Sequence, residues 1–526
     1  MIEAEVHNSL RAFLREAGEP HWPHHLTMAR LVARALRLGR SALMQVGVYG
    51  GYARYRLSYL TPALIWPGPA ILVAAEAVQQ RLVRVEIPQL RQWIQTSKPI
   101  RMGDALPDAE FQGLLLVTPQ VWLQDRLTGQ NRFGTGIPTI LDGVDDLEDW
   151  TRNALTACIQ PQDWEQLMLA CPDKAEAIRE ARVQLTKAVF QHPPNPYECC
   201  LIETSEQDII RRLYENLGEE ATAPDGESNC AEEWKERAIE HLPDAWKIFW
   251  QRFSTPGQLI WAEIARPLGQ FSLYCGPLEV ACALSKIWQL QPVVLIGGAL
   301  ELDAEAPIYR QRMGLADLTC LKFAPDRNTE LIKLYLPDGL PMPNTPQFQT
   351  ALLQEFRKLL LAIAPVGGLT VLLVGDVPLK AIVAATLAAE FGSRVQVEKT
   401  CLDDNGILVT GWEFWRQHQG VLPAPLAIAI ATLPIPSLEN PLVAGRVAYY
   451  KQQRLDWFRL YLLPEALSFL QRAIAPVRES AGVVALFDTR AIHRSYGNLV
   501  LAALSPFARI NYLDKSLFGS DPDNTT

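Results

Sequence analysis

The chain has 526 residues, 48% of them hydrophobic and 20% charged, and carries a net charge of −9. That balance belongs to a soluble globular protein of roughly two to four domains and excludes disordered, collagen-like and short-repeat architectures. Nine cysteines without a CxxC pair indicate neither a disulfide framework nor a zinc site, and the acidic excess argues against a generic nucleic-acid coat.

The first twenty residues are charged and amphipathic, which is not the pattern of a signal peptide. From Pro20 to Ala75 there is no Asp or Glu, while Arg30, Arg34, Arg37, Arg40, Arg54 and Arg56 are all basic. Ala29–Leu38 has helical periodicity, and Ser41–Val46 reads as a buried strand that runs into a glycine-bearing loop, Gly47 to Tyr52. Leu57–Leu64 follows as a helix and Ala70–Ala74 as a strand, so this stretch predicts a βαβ unit. The most apolar segment, Leu57 to Val78, is interrupted by Pro62, Pro67 and Pro69 and does not read as a membrane span. The expectation is a reduced, cytoplasmic, soluble protein with no membrane partner.

Short apolar runs recur at 114–117, 139–141, 293–296, 370–374, 426–430 and 483–487, each bounded by turn residues and separated by helix-period sequence. The alternation predicts parallel sheets in an α/β protein. Thr151 to Phe253 breaks it: with 19 acidic and 11 basic residues, this helix-period segment holds nearly all of the negative excess. Glu439 to Lys515 is basic again, 10 residues against 6. The predicted organisation is a first lobe over 1–150, an acidic helical insert over 151–255, a return to the first lobe over 256–325, a second α/β lobe over 326–518 and a disordered tail over 519–526.

The C-terminal third is more specific. Leu433-Pro-Ile-Pro436, Asn440-Pro-Leu-Val443, Tyr449-Tyr450, Asp456-Trp-Phe458, Tyr461 through Ala466, Gln471 through Arg478, Gly482 through Arg490 and Ser495-Tyr-Gly497 together resemble the C-terminal domain of DinG/XPD-type superfamily 2 helicases. Earlier segments follow that family's order. Ser41–Leu64 stands at its phosphate-binding loop and the following helix, Asp142-Gly-Val-Asp-Asp-Leu-Glu148 where the family has D-E-A-H-N-L-E, and Gly297-Gly-Ala-Leu300 where it has S-A-T-L. The resemblance implies two RecA-like parallel-sheet lobes with an insert in the first, and binding of ATP, magnesium and DNA.

The departures bear on the chemistry. A phosphate loop of this kind uses a lysine on the phosphates and a Ser or Thr on Mg²⁺. This chain has no Gly-Lys pair. Its loop keeps Gly47, Gly50 and Gly51 and offers Arg54 and Arg56 as cations, with Ser58 the nearest hydroxyl. An arginine binds phosphate as a planar fork, so the exchange is not conservative. Asp142 remains as the magnesium ligand the resemblance implies, but it also suits a helix N-cap. The family's general-base glutamate is Gly143, and such a base contributes about 10²–10⁴-fold. In the Q-x-x-G-R-x-x-R pattern Gln471 and Arg478 are kept, whereas the Gly-Arg pair is Ile474-Ala475, and an arginine finger is worth about 10³–10⁵-fold. The adenine-reading glutamine aligns with His25. Between Leu64 and Asp142, where the family places four iron–sulfur cysteines, there is no cysteine, so no cluster is expected.

Residues for nucleic acid are Arg56, Arg446 and the aromatics Trp412 and Trp415, with core packing as the competing role for the aromatics. Three readings follow: a helicase-like protein that binds DNA, single-stranded by preference, without hydrolysing ATP; an active ATP-dependent DNA helicase with divergent motifs; and a scaffold that uses the acidic insert for a protein partner.

Overall fold

The computed structural model describes residues 2–16, 22–48, 55–94, 96–218, 241–325, 331–480 and 482–518. They form two compact units, one drawn from Met1–Leu147, Ala283–Ile435 and Leu462–Thr526, the other from Glu148–Cys282 and Pro436–Tyr461.

The first unit contains two seven-stranded sheets, each all parallel. Strands β1 (Ala42–Gln45), β2 (Ala70–Val73), β3 (Ile100–Met102), β4 (Leu114–Val117) and β5 (Thr139–Asp142) precede the second unit in the chain, whose strands are β6 (Ala157–Ile159), β7 (Cys199–Leu201), β8 (Gln258–Ala265) and β9 (Gln270–Pro277). The chain then returns with β10 (Val293–Gly297) and β11 (Thr319–Lys322). The first sheet has the order β11-β1-β10-β5-β2-β4-β3. The second lobe holds β12 (Ile332–Tyr335), β13 (Thr370–Leu373), β14 (Val395–Val397), β15 (Ile407–Thr410), β16 (Ala427–Ile430), β17 (Val483–Leu486) and β18 (Phe507–Ile510), in the order β14-β15-β13-β16-β17-β12-β18. Two RecA-like parallel-sheet lobes are therefore present.

Central strands in such sheets are covered on both faces, so they read as unbroken apolar runs, and every residue of β1, β2, β4, β5, β13, β16 and β17 is buried. One core packs the helix His25–Leu38 and the helix Arg56–Ile65 against β1, β2 and β4. Another packs Leu352, Phe356, Leu359 and Ile363 of the helix Phe348–Ile363 against β13, β16 and β17. The expected βαβ unit is modified: β1 and β2 are parallel in one sheet, but β10 and β5 lie between them.

The second unit corrects the expected domain plan. Its described residues carry the helices Pro161–Ala170, Ala175–Gln191, Thr204–Gly218 and Asp244–Phe253, but also an antiparallel sheet, β6-β9-β8-β7. The hairpin 258–277, assigned from sequence to the first lobe's return, belongs to this sheet, and 436–461, assigned to the second lobe, joins the same unit. The hairpin alternates buried and half-buried residues, the signature of a one-sided antiparallel strand rather than a buried parallel one. The helix Pro441–Gln452 seats on β7 and β8 at Gly445, where a Cβ would come within 2.6 Å of Leu259. The predicted tail, 519–526, lies outside the described residues. Among the described residues no helix is long and apolar enough to cross a membrane.

Candidate functional site

In a parallel sheet all carboxyl ends lie along one edge, and ligands of open α/β folds bind beyond that edge. Here β1, β10 and β5 are neighbours, which places Gly47, the segment Gly298–Ala299 and the segment Asp142–Asp146 side by side. Gly47 has φ +84°, a left-handed conformation that glycine tolerates. The approach is close: a Cβ on Gly298 would stand 2.9 Å from the Gly47 carbonyl oxygen. Gly50, Gly51 and Arg54 lie outside the described residues.

Asp142 ends β5 and is buried. Its Oδ1 accepts a hydrogen bond from the Tyr55 hydroxyl at 2.7 Å, and its Oδ2 accepts from the Tyr59 hydroxyl at 2.8 Å and from Arg56 Nε at 3.1 Å. Tyr55 and Tyr59 are four apart at the start of the helix Arg56–Ile65, so their side chains lie one above the other on the same face. Burial, reinforced by the Asp142 charge, pushes both phenols well above their ordinary range, so both remain donors. Burial works against the Arg56 charge, but Asp142 outweighs it and the guanidinium stays protonated.

The carboxylate thus has three donors and a resident cation. A divalent cation on it would lie against the Arg56 guanidinium, in a buried site where like charges are poorly screened. The first Ser or Thr hydroxyl after the loop in sequence, Ser58 Oγ, is engaged at 2.8 Å by Nδ1 of His25, itself a buried residue edge-on to Trp22 rather than an exposed base reader. As placed, these side chains engage both carboxylate oxygens of Asp142 and the Ser58 hydroxyl. Among the described residues no group of three or more His, Cys, Asp or Glu could hold a metal ion.

The next residues are committed as well. Gly143, at the family's general-base position, has φ +83°, so a glutamate there would be strained. Asp145 accepts from the backbone N–H groups of Gly298 at 2.8 Å and Ala299 at 2.6 Å, tying the β5 loop to the β10 loop. Burial raises its pKa, against the lowering effect of Arg472 and of the two amides. Asp146 faces the second lobe: its carboxylate takes Arg472 bidentately at 2.6 and 3.0 Å, with Arg416 at 3.5 Å.

The remaining predicted residues do not gather at this edge. Arg478 is buried and donates to the carbonyls of Leu504 at 2.7 Å, Ser505 at 3.0 Å and Pro506 at 3.2 Å, so it braces the turn before β18. Gln471 donates to the Leu467 carbonyl of its own helix at 3.3 Å. Trp415 is 1% exposed and donates through Nε1 to the Ala473 carbonyl, which makes it a core residue rather than a stacking platform. Trp412 is half-buried, its indole 3.1 Å from where a Cβ on Gly375 would stand, and its Nε1 has no hydrogen-bond partner. Arg446 belongs to the second unit, where it lies over the Tyr461 ring. The sequence reading missed Tyr55, Tyr59, Asp145, Asp146, Arg416 and Arg472. The legible signal was the Tyr-Arg-x-x-Tyr spacing at a helix start.

No family model matches the chain. The curated ATP-dependent DNA helicase YoaA of Haemophilus influenzae is 25% identical over 263 residues, 47% of this chain and 40% of that protein, so the match spans less than half of the relative. Among solved structures, an XPD helicase aligns with a TM-score of 0.59 and 10% identity, covering 93% of this chain and all of that one. The Xpd4 protein of S. tokodaii aligns at 0.57 and 11%, with 93% of this chain and all of that one covered. The fold is like that of the XPD helicases, in agreement with the resemblance in the sequence.

Proposed function

We propose that this chain is a helicase-fold nucleic-acid-binding protein that does not hydrolyse ATP. The observation that carries the reading is the saturation of Asp142 by Tyr55, Arg56 and Tyr59, which leaves the metal-ligand carboxylate neutralised from within. Gly143 removes the base, and Arg478 is spent on three carbonyls, so the chain lacks in several places at once what hydrolysis requires.

Single-stranded DNA is the ligand this reading favours. The relative is a DNA helicase, the arginine-rich segment 20–75 has no acid, and Trp412 keeps a half-buried indole. Protein binding by the acidic residues of 151–255 is an additional role of the same kind.

The test is fluorescence anisotropy with a labelled single-stranded oligonucleotide across about 50 to 200 mM salt, where phosphate contacts release counterions and affinity falls steeply. We expect salt-sensitive binding that Trp412→Ala weakens by about fivefold or more, as for loss of one stacking platform worth about 1–3 kcal/mol. No binding at the lowest salt would overturn the nucleic-acid reading and leave the scaffold.

A further inference from the structure

Hydrolysing two-lobe ATPases use the nucleotide's negative charge, read by arginines of the opposite lobe, to bring their lobes together. In this chain an aspartate of the first lobe already meets arginines of the second. Asp146 stands where the family pattern D-E-A-H-N-L-E has an uncharged Asn, and Arg472 stands at an unspecified position next to Gln471. A charge has thus appeared on both sides of the lobe boundary, and the two charges meet bidentately.

The presentation of the arginines is rigid. Arg416 lies on the helix Trp412–His418 and Arg472 on the helix Leu463–Ala473, and the buried Trp415–Ala473 hydrogen bond ties these helices together. On the other side, Asp145 anchors the Asp146 segment to the β10 loop. A second cross-lobe pair, Arg312 to Glu465 at 3.0 Å, adds another point of attachment on the same helix. A single half-exposed ion pair contributes little, but bidentate geometry and several charges in one network are the conditions under which such pairs count.

We infer that Asp146 is a built-in anionic ligand that closes the two lobes through Arg472 and Arg416 without nucleotide. The inference deepens the non-hydrolysing reading by naming what holds the lobes in place of ATP. It is tested separately, because the readout is shape rather than turnover.

The experiment is small-angle X-ray scattering on the full chain, with and without magnesium and a non-hydrolysable ATP analogue. It compares the native protein with Asp146→Arg, Arg472→Asp and the double exchange, with circular dichroism to verify folding. The native radius of gyration is expected to be indifferent to the analogue. Each single reversal is expected to enlarge it, and the double exchange to bring it back. Should a reversal fail to fold, the isosteric Asp146→Asn, which removes the charge alone, is read in its place with the same expectation. A native protein that compacts on adding the analogue, or folded variants as compact as the native chain, would overturn the inference. Turnover of ATP by a protein whose variants still open would refute the non-hydrolysing reading and leave the clamp standing.

Discussion

Arg56 donates its Nε hydrogen to Oδ2 of Asp142 at 3.1 Å, with the arginine side chain 14% and the aspartate side chain 3% exposed. The pair sits at the carboxyl end of β5. A buried pair of this kind is costly to break from one side, because the partner left behind keeps an uncompensated charge. Arg56→Ala and Asp142→Asn are each expected to lower unfolding stability by about 3–5 kcal/mol. Tyr59→Phe, which removes one hydrogen bond to a charged group, should cost about 1.5–3 kcal/mol. Urea midpoints of the purified variants check all three.

Gly143→Glu returns the carboxyl group that the family's pattern places there, yet it should not create hydrolysis. With φ +83° the new side chain is strained, at a cost of about 1–2 kcal/mol, and Asp142 remains closed by Arg56. The expected outcome is a lower thermal midpoint with no phosphate release.

Arg478→Met separates a bracing role from a ligand-binding one. It leaves the carbonyls of Leu504 and Ser505 without their Arg478 donor, while that of Pro506 still accepts from the Ile332 N–H, and we expect a loss of about 2 kcal/mol or more, since each unpaired buried group costs about 1–3 kcal/mol. Oligonucleotide affinity per folded molecule should be unchanged.

Lys98 supplies a pH test. Its ammonium is buried and donates to the carbonyls of Trp66 and Gly68, and burial lowers its pKa from about 10.5 to about 8. The unfolded chain therefore binds more protons at this side chain than the folded one between about pH 8 and 10.5, so its contribution to stability rises across that window. The difference in urea midpoint between the native protein and Lys98→Met should move in the native protein's favour from pH 8 to 10. A constant difference would place the folded pKa at its ordinary value.

The parallel strands were legible because burial on both faces writes them as apolar runs, as at Leu114–Val117 and Thr370–Leu373. The strand Ile332–Tyr335 was not: Lys333 interrupts its run and finds its partner in the Leu517 carbonyl, far along the chain. The hairpin 258–277 was misplaced because an alternating strand tells which face is covered, not by which unit. At the site, Asp142 stood out as a carboxylate at a strand end. Its neutralisation depended on a helix returning Tyr55, Arg56 and Tyr59 to it across more than eighty residues. Trp415 and Trp412 look equivalent in sequence, and only the packing of their helix separates the core residue from the half-exposed one.

The most direct measurement of the central claim is steady-state phosphate release from ATP and magnesium by the full chain, followed across its size-exclusion peak with and without single-stranded DNA. An Asp142→Asn preparation serves as the reference. Release is expected to be no greater than the reference's and unmoved by DNA. Release that co-elutes with the protein, rises with DNA and disappears in Asp142→Asn would contradict it, because Asp142 would then be serving a metal rather than Arg56.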